Sequence, residues 1–141
     1  MIVDRHRIAE LLPHGAGMVL LDLVKTCDSE SVVCVTGSHR DISNPLRQRG
    51  RLPAMAVIEY AAQAAALHAA LNGQRASGAG AVLGGVKNMT CNRARLDDIP
   101  DMLEVRVTLL LARDNGAVYS FEVGTQSGMT VAEGRFTVMY K

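Results

Sequence analysis

From residue 102 to residue 112, apolar and polar positions alternate. Leu103, Val105, Val107, Leu109 and Leu111 fall on one side of an extended chain, with Glu104, Arg106 and Thr108 on the other. A period of two marks a strand covered on one face. Asn115-Gly116 supplies the residues a tight hairpin turn needs, and Ser127-Gly128 a second turn, so residues 117–124 and 129–140 read as two further strands. Residues 81–92 are also β-rich, with Gly84-Gly85 marking a bulge or a close approach. Nearer the N-terminus, residues 18–27 and 31–37 form two β-rich runs around the polar turn Asp28-Ser29-Glu30. Residues 4–12 have helical spacing instead, with Ile8, Leu11 and Leu12 on one side, until Pro13 interrupts.

The pattern changes before and within residues 53–72. Residues 38–52 have no apolar period and contain Pro45 and Gly50, which predicts a long irregular loop of the kind that carries function. Pro53 sits where the first turn of a helix tolerates it, and residues 54–72 are strong helix formers, rich in Ala, that end at Asn72-Gly73. Apolar residues occupy every face of this helix, so it is expected to be wrapped on most sides, closely where the side chains are Ala. The order is short helix, hairpin, long loop, one long buried helix, and a meander of about four strands. A lone apolar helix needs a sheet curved around it. The expected fold class is therefore α+β, a hot-dog whose long central helix is wrapped by a curved antiparallel sheet of five to six strands, in one domain over residues 1–141.

Composition narrows the function classes. With 48% apolar and 21% charged residues and no Trp, the chain builds a globular core from Ala, Val, Leu and Met. A net charge of +1 supplies no general drive towards nucleic acid or anionic membranes, and neither is an expected partner. The apolar run at 54–71 is interrupted by Glu59, Gln63 and His68 and makes a poor membrane span. The N-terminal residues carry charges and no signal-peptide core, which predicts a cytoplasmic location. Cys27, Cys34 and Cys91, like His6, His39 and His68, match no metal spacing, and there is no dinucleotide fingerprint or phosphate loop. No metal and no organic cofactor are expected.

Glu59 is the most informative residue. A carboxylate in the first turns of an apolar helix is costly to bury unless it is paired, protonated or used. Gln63 lies one turn further along the same face, within reach of that carboxyl. His14, between Pro13 and Gly-Ala-Gly, would place an imidazole at the mouth of the first strand. Ala54 and Met55 open the helix, where N–H groups lack intrahelical acceptors and can stabilise charge on a carbonyl oxygen. Arg47, Arg49 and Arg51 in the loop, together with Lys87, Arg93 and Arg95, are either solvated surface cations or candidates to meet an acidic carrier or its phosphates.

Two stretches, LLPHGAGMVLLD at 11–22 and NPLRQRGRLPAMAVIEYAAQAAA at 44–66, resemble the FabA/FabZ-type 3-hydroxyacyl-acyl-carrier-protein dehydratases, and most of all the branch associated with aryl polyene biosynthesis. Met18 and Asp22 stand four and eight positions after the family histidine, which falls on His14; the family acid falls on Glu59 and its companion amide on Gln63. Where many relatives have a basic residue and then a proline after the histidine, this chain has Gly15 and Gly17, and the usual proline-glycine at the helix entrance is Pro53-Ala54. The resemblance implies dehydration of a 3-hydroxyacyl thioester carried by acyl carrier protein or coenzyme A, without a cofactor. It also implies a homodimer, or a larger assembly of dimers, in which His14 of one subunit faces Glu59 of the other. Two alternatives share these residues. One is a hot-dog thioesterase, which the Pro-His context of His14 disfavours; the other is a non-catalytic acyl-binding partner of an active dehydratase.

Overall fold

The structure, a computed structural model, describes residues 2–12, 16–73 and 81–140. Seven strands, β1 (Val3–Asp4), β2 (Leu23–Cys27), β3 (Ser31–Thr36), β4 (Ala81–Cys91), β5 (Leu103–Arg113), β6 (Gly116–Thr125) and β7 (Thr130–Tyr140), form one antiparallel sheet in the order β1-β2-β3-β5-β6-β7-β4. Two helices accompany them, α1 (Arg5–Leu11) and α2 (Val57–Leu71). The six expected strands are joined by a seventh, the two-residue β1, which is too short to have a period of its own. The expected meander is also rearranged: β5, β6 and β7 follow one another, but β4 pairs with β7 at the far edge, and β3 takes the place beside β5.

Local chemistry accounts for most boundaries. The Asp4 side chain caps α1 by accepting from the Arg7 N–H at 3.0 Å. The Asp28 carboxylate accepts from the N–H groups of Glu30 and Ser31, both at 2.8 Å, and closes the β2–β3 turn. In β5, Leu103, Val105 and Val107 are buried as the alternation predicts. A register shift between Leu109 and Leu111 then ends the alternation, and Leu111 stands exposed instead of inward.

Helix α2 lies across β3, β5 and β6. Val57, Tyr60, Ala61, Gln63, Ala64, Ala65, Leu67 and His68 face into the core. The wrapping is one-sided, however. Met55, Glu59 and the half-buried Ile58, Ala62, Ala66, Ala69 and Ala70 leave a stripe of the helix without cover in a single chain. The residues that read as apolar all round therefore divide into a face buried by this sheet and a face that one chain leaves open.

Candidate active site

The entrance to α2 is built by long-range contacts. Pro53 precedes a 3-10 turn over Ala54–Ala56 that leads into the helix. The Leu52 N–H donates to Asp97 Oδ1 at 2.9 Å, the Leu96 N–H donates to the Leu52 carbonyl at 2.8 Å, and the Ala54 N–H donates to the Ala94 carbonyl at 3.1 Å. The last bond corrects one expectation. Ala54 cannot serve as an oxyanion donor, because a carbonyl forty residues away already takes its proton. The Met55 N–H has no acceptor among the described residues, and the residue is 59% exposed, so the donor role narrows to Met55. Asp97 is itself fixed by Arg95, whose guanidinium beside it holds its carboxyl well below the usual carboxylate range.

Glu59 lies in the first turn of α2 and is exposed, and its carboxylate has no partner among the described residues. The apolar setting inferred from neighbouring sequence is not supplied by this chain alone, since those neighbours turn inwards while Glu59 faces the open stripe. Gln63 does not hold it either. Gln63 is 2% exposed; its Oε1 accepts from the Leu20 N–H at 2.9 Å, and its Nε2 donates to the Met18 carbonyl at 2.7 Å. Helical spacing allows an amide at i+4 to reach the acid, but two unpaired backbone groups of another segment compete for it, and they win.

His14 lies outside the described residues, with Pro13 and Gly15. The residues after it, 19–22, were expected to begin a strand and do not. Their backbone is held by side chains instead. Arg5 Nη2 donates to the Val19 carbonyl at 2.8 Å, while Thr36 Oγ1 and Ser38 Oγ each donate to the Leu20 carbonyl at 2.6 Å. The Asp22 carboxylate accepts from the Gly37 N–H at 2.8 Å and pairs with Arg5 at 2.6 Å. Behind this cradle the fully buried Tyr60 donates to Ser38 Oγ at 2.8 Å and accepts from Asn44 Nδ2 at 3.1 Å, and burial pushes its hydroxyl pKa up. Arg5, Thr36, Ser38, Asn44 and Tyr60 were not anticipated as supports. The available signal was an apolar run, 18–21, that contains no alternation and so does not specify a strand.

The candidate carrier-binding cations divide. Arg47 is engaged within its own loop, donating to the carbonyls of Asp41 (2.9 Å) and Gly50 (2.8 Å). Arg93 pairs with Asp98 at 3.1 Å, and Arg95 with Asp97. Each of these three guanidiniums is already engaged by its own chain, Arg93 through a partly exposed ion pair. The side chains of Arg49, Arg51 and Lys87 are exposed and make no hydrogen bond or ion pair to a described residue. Two surface cavities lined by described residues lie away from Glu59: one of about 390 Å³ beside Arg106 and Glu122, and one of about 270 Å³ beside His68 and Tyr140.

Residues 6–141 match the family described as "ApeP-like: ApeP dehydratase". Among solved structures, the dehydratase heterocomplex ApeI:P from Xenorhabdus doucetiae contains a chain 26% identical to this one. The match covers 99% of this chain and 91% of that one, with a TM-score of 0.79. The PaaI protein of Escherichia coli, from the phenylacetic acid degradation operon, aligns over 96% of this chain and 88% of its own at 17% identity and a TM-score of 0.65. A hypothetical thioesterase from Streptococcus pneumoniae TIGR4, solved with coenzyme A, aligns over 97% and 94% at 15% identity and a TM-score of 0.59. The last two share the hot-dog fold. No curated protein matches the chain.

Proposed function

The chain belongs to the ApeP-like dehydratase family, and on that footing we propose that it removes water from a (3R)-3-hydroxyacyl thioester to give the trans-2-enoyl thioester, with His14 and Glu59 as base and acid. His14 takes the proton from C2. The electron pair left there forms the C2–C3 double bond as the C3–O bond breaks, and Glu59 protonates the departing hydroxyl, which leaves as water. The Met55 N–H lies at the helix entrance, where it can donate to the thioester oxygen as enolate charge develops.

The observation that carries this reading is the bridge made by Gln63. One buried amide, a single helical turn from Glu59, bonds both to the Leu20 N–H and to the Met18 carbonyl. It thereby fixes the segment that follows His14 by four to six residues against the same chain's α2, so that the His14 part and the Glu59 part which one subunit would contribute to two shared sites are held in a set relation. The two motifs are forty-five residues apart in sequence, and this one side chain joins them.

The exposure of Glu59 supports a second subunit as the missing cover. A carboxyl must be desolvated to stay protonated near neutral pH, and the open stripe of α2 offers a place for that cover. At the sheet margin, β4 presents an eleven-residue edge with exposed Val82 and Leu83, the kind of edge that invites pairing. The partner is a second copy or, as in the ApeI:P heterocomplex, a different dehydratase subunit. That heterocomplex also favours one alternative reading, in which this chain serves as the non-catalytic half of a pair.

The test is direct. The purified chain is incubated with 3-hydroxyacyl thioesters of acyl carrier protein and of coenzyme A, while the conjugated enoyl product and free thiol are followed together. Enoyl product without thiol release is expected. Thiol release without elimination would move the assignment to a thioesterase, and no reaction from the chain alone would favour the non-catalytic half.

A further inference from the structure

Residues 48–51 form a two-residue hairpin turn within the long loop before α2. The Gln48 N–H donates to the Arg51 carbonyl at 2.7 Å and the Arg51 N–H returns a bond to the Gln48 carbonyl at 3.0 Å. The tip residues, Arg49 and Gly50, have φ of 54° and 78°, the left-handed pair of a type I′ turn. Gly is at ease there, and Asn or Asp is tolerated; Arg is not a residue that such a position selects. Among the described residues the only other non-glycine with positive φ is Asn88, which is of the tolerated type. Backbone held in a disfavoured conformation persists only when its surroundings impose it.

Those surroundings are visible. Arg47 donates from Nη1 to the Gly50 carbonyl and from Nε to the Asp41 carbonyl, and so braces the turn from within the loop. The loop is anchored in turn by the fully buried His39, whose Nε2 bonds to the Ile99 carbonyl at 3.0 Å. On the other side, Leu52 is fully buried and tied to Asp97. The two guanidiniums this frame displays, Arg49 and Arg51, are exposed and bond to no described residue. Arg51 and Met55 are four positions apart, a span of at most roughly 14 Å even if fully extended. The pair therefore stands beside the helix entrance that holds the free Met55 N–H and Glu59.

We propose that this rigid turn is the phosphate-docking element of the site. Arg49 and Arg51 receive the phosphate of the phosphopantetheine arm, whether that arm comes on acyl carrier protein or within coenzyme A, while the thioester at its other end reaches Met55 and Glu59. Paired guanidiniums suit a phosphate because they present several N–H donors in fixed forks, and a held turn lowers the ordering cost of binding. The inference rests on the thioester reading above, but its test separates from it.

The double variant Arg49→Gly/Arg51→Gln removes both charges, and Gly at position 49 relieves the turn, so loss of fold is not the expected outcome. Substrates are a 3-hydroxyacyl group on phosphopantetheine, on pantetheine without phosphate, on acyl carrier protein and on coenzyme A. In the wild type the phosphate lowers KM by about tenfold, the size of a charge-assisted contact. In the double variant that advantage disappears, with kcat largely retained, and Arg113→Gln, at the exposed β5–β6 turn, leaves it intact. Loss of the advantage with phosphopantetheine, acyl carrier protein and coenzyme A together supports the shared phosphate as the ligand. Retention of the phosphate advantage in the double variant overturns the proposal, and so does an effect confined to acyl carrier protein. Calorimetric titration with phosphopantetheine, in wild type and double variant, reads the same contact without turnover. If the chain dehydrates nothing yet binds phosphopantetheine through these arginines, only the catalytic reading falls.

Discussion

Replacing Gln63 with Met keeps the length of the side chain and removes both of its hydrogen bonds. The Leu20 N–H, in a residue 2% exposed, would be left buried without an acceptor, which costs about 1–3 kcal/mol. The Met18 carbonyl belongs to an exposed residue and regains water, so its loss adds about 1 kcal/mol or less. The sum, about 1–4 kcal/mol, lowers the melting temperature of a chain this size by roughly 3–15 °C. Gln63→Glu is the sharper companion. Its carboxyl, when protonated, both accepts from Leu20 and donates to Met18; when ionised, it places a buried charge against a carbonyl oxygen. Its folded-state pKa is therefore raised above the ordinary value of about 4.3. By linkage its stability is near that of the wild type at low pH and is lost as pH rises through the folded value. Urea denaturation of wild type and both variants at pH 5 and pH 8, at one protein concentration, checks this. A Gln63→Met variant melting within about 1 °C of the wild type, or a Gln63→Glu variant equally weakened at both pH values, would refute the bridging role.

Tyr60→Phe deletes the hydroxyl shared by Ser38 and Asn44 in a fully buried position and should cost about 1–3 kcal/mol by urea denaturation; an unchanged midpoint contradicts the network. Burial lowers the His39 pKa below its ordinary value, so its contribution to stability is full above about pH 6.5 and is lost as pH falls below it. The wild type should therefore lose stability between pH 7.5 and pH 5 in a way that His39→Gln does not, and parallel pH profiles would count against it. Asp97, whose pKa Arg95 depresses, adds stability above the ordinary carboxylate pKa that is lost as pH falls below it. Asp97→Asn should narrow the stability gap between neutral pH and about pH 3, and an unchanged acid unfolding curve would exclude that role.

The parts of the fold that could be read in the sequence are those with a period or a punctuation mark of their own. The alternation through Leu103, Val105 and Val107 and the Ala-rich helix after Pro53 each carry their instruction locally and appear where they were read, while the hairpin turn falls one residue early, on Asp114-Asn115, with Gly116 opening β6 opposite Arg113. What could not be read depends on distant partners. The apolar run at 18–21 looks extended, yet its hydrogen bonds go to Arg5, Thr36, Ser38 and Gln63. β4 follows α2 in sequence yet pairs with β7 at the far edge of the sheet, a placement that no local pattern records.

The site divides in the same way. Glu59 and Gln63 were singled out because polar residues inside an apolar helix are costly, and Gln63 is indeed fully used, though by a different segment from the one its spacing indicated. The Ala54 N–H looked free because only its own helix was in view, and Ala94 lies beyond any motif. Arg47 and Arg95 read as surface charge because nothing in their neighbourhood foretells a carbonyl or a carboxylate folding back on them.

Mixing two inactive variants tests most directly whether His14 and Glu59 meet across a subunit boundary. His14→Ala and Glu59→Gln are each expected to lack dehydratase activity while keeping their fold. After random exchange of subunits, half of the dimers are mixed, and each of these has one of its two sites intact, so about a quarter of wild-type turnover should return. Turnover that stays at the level of the separate variants, in mixtures shown to contain the mixed dimer, would contradict a site shared between two chains.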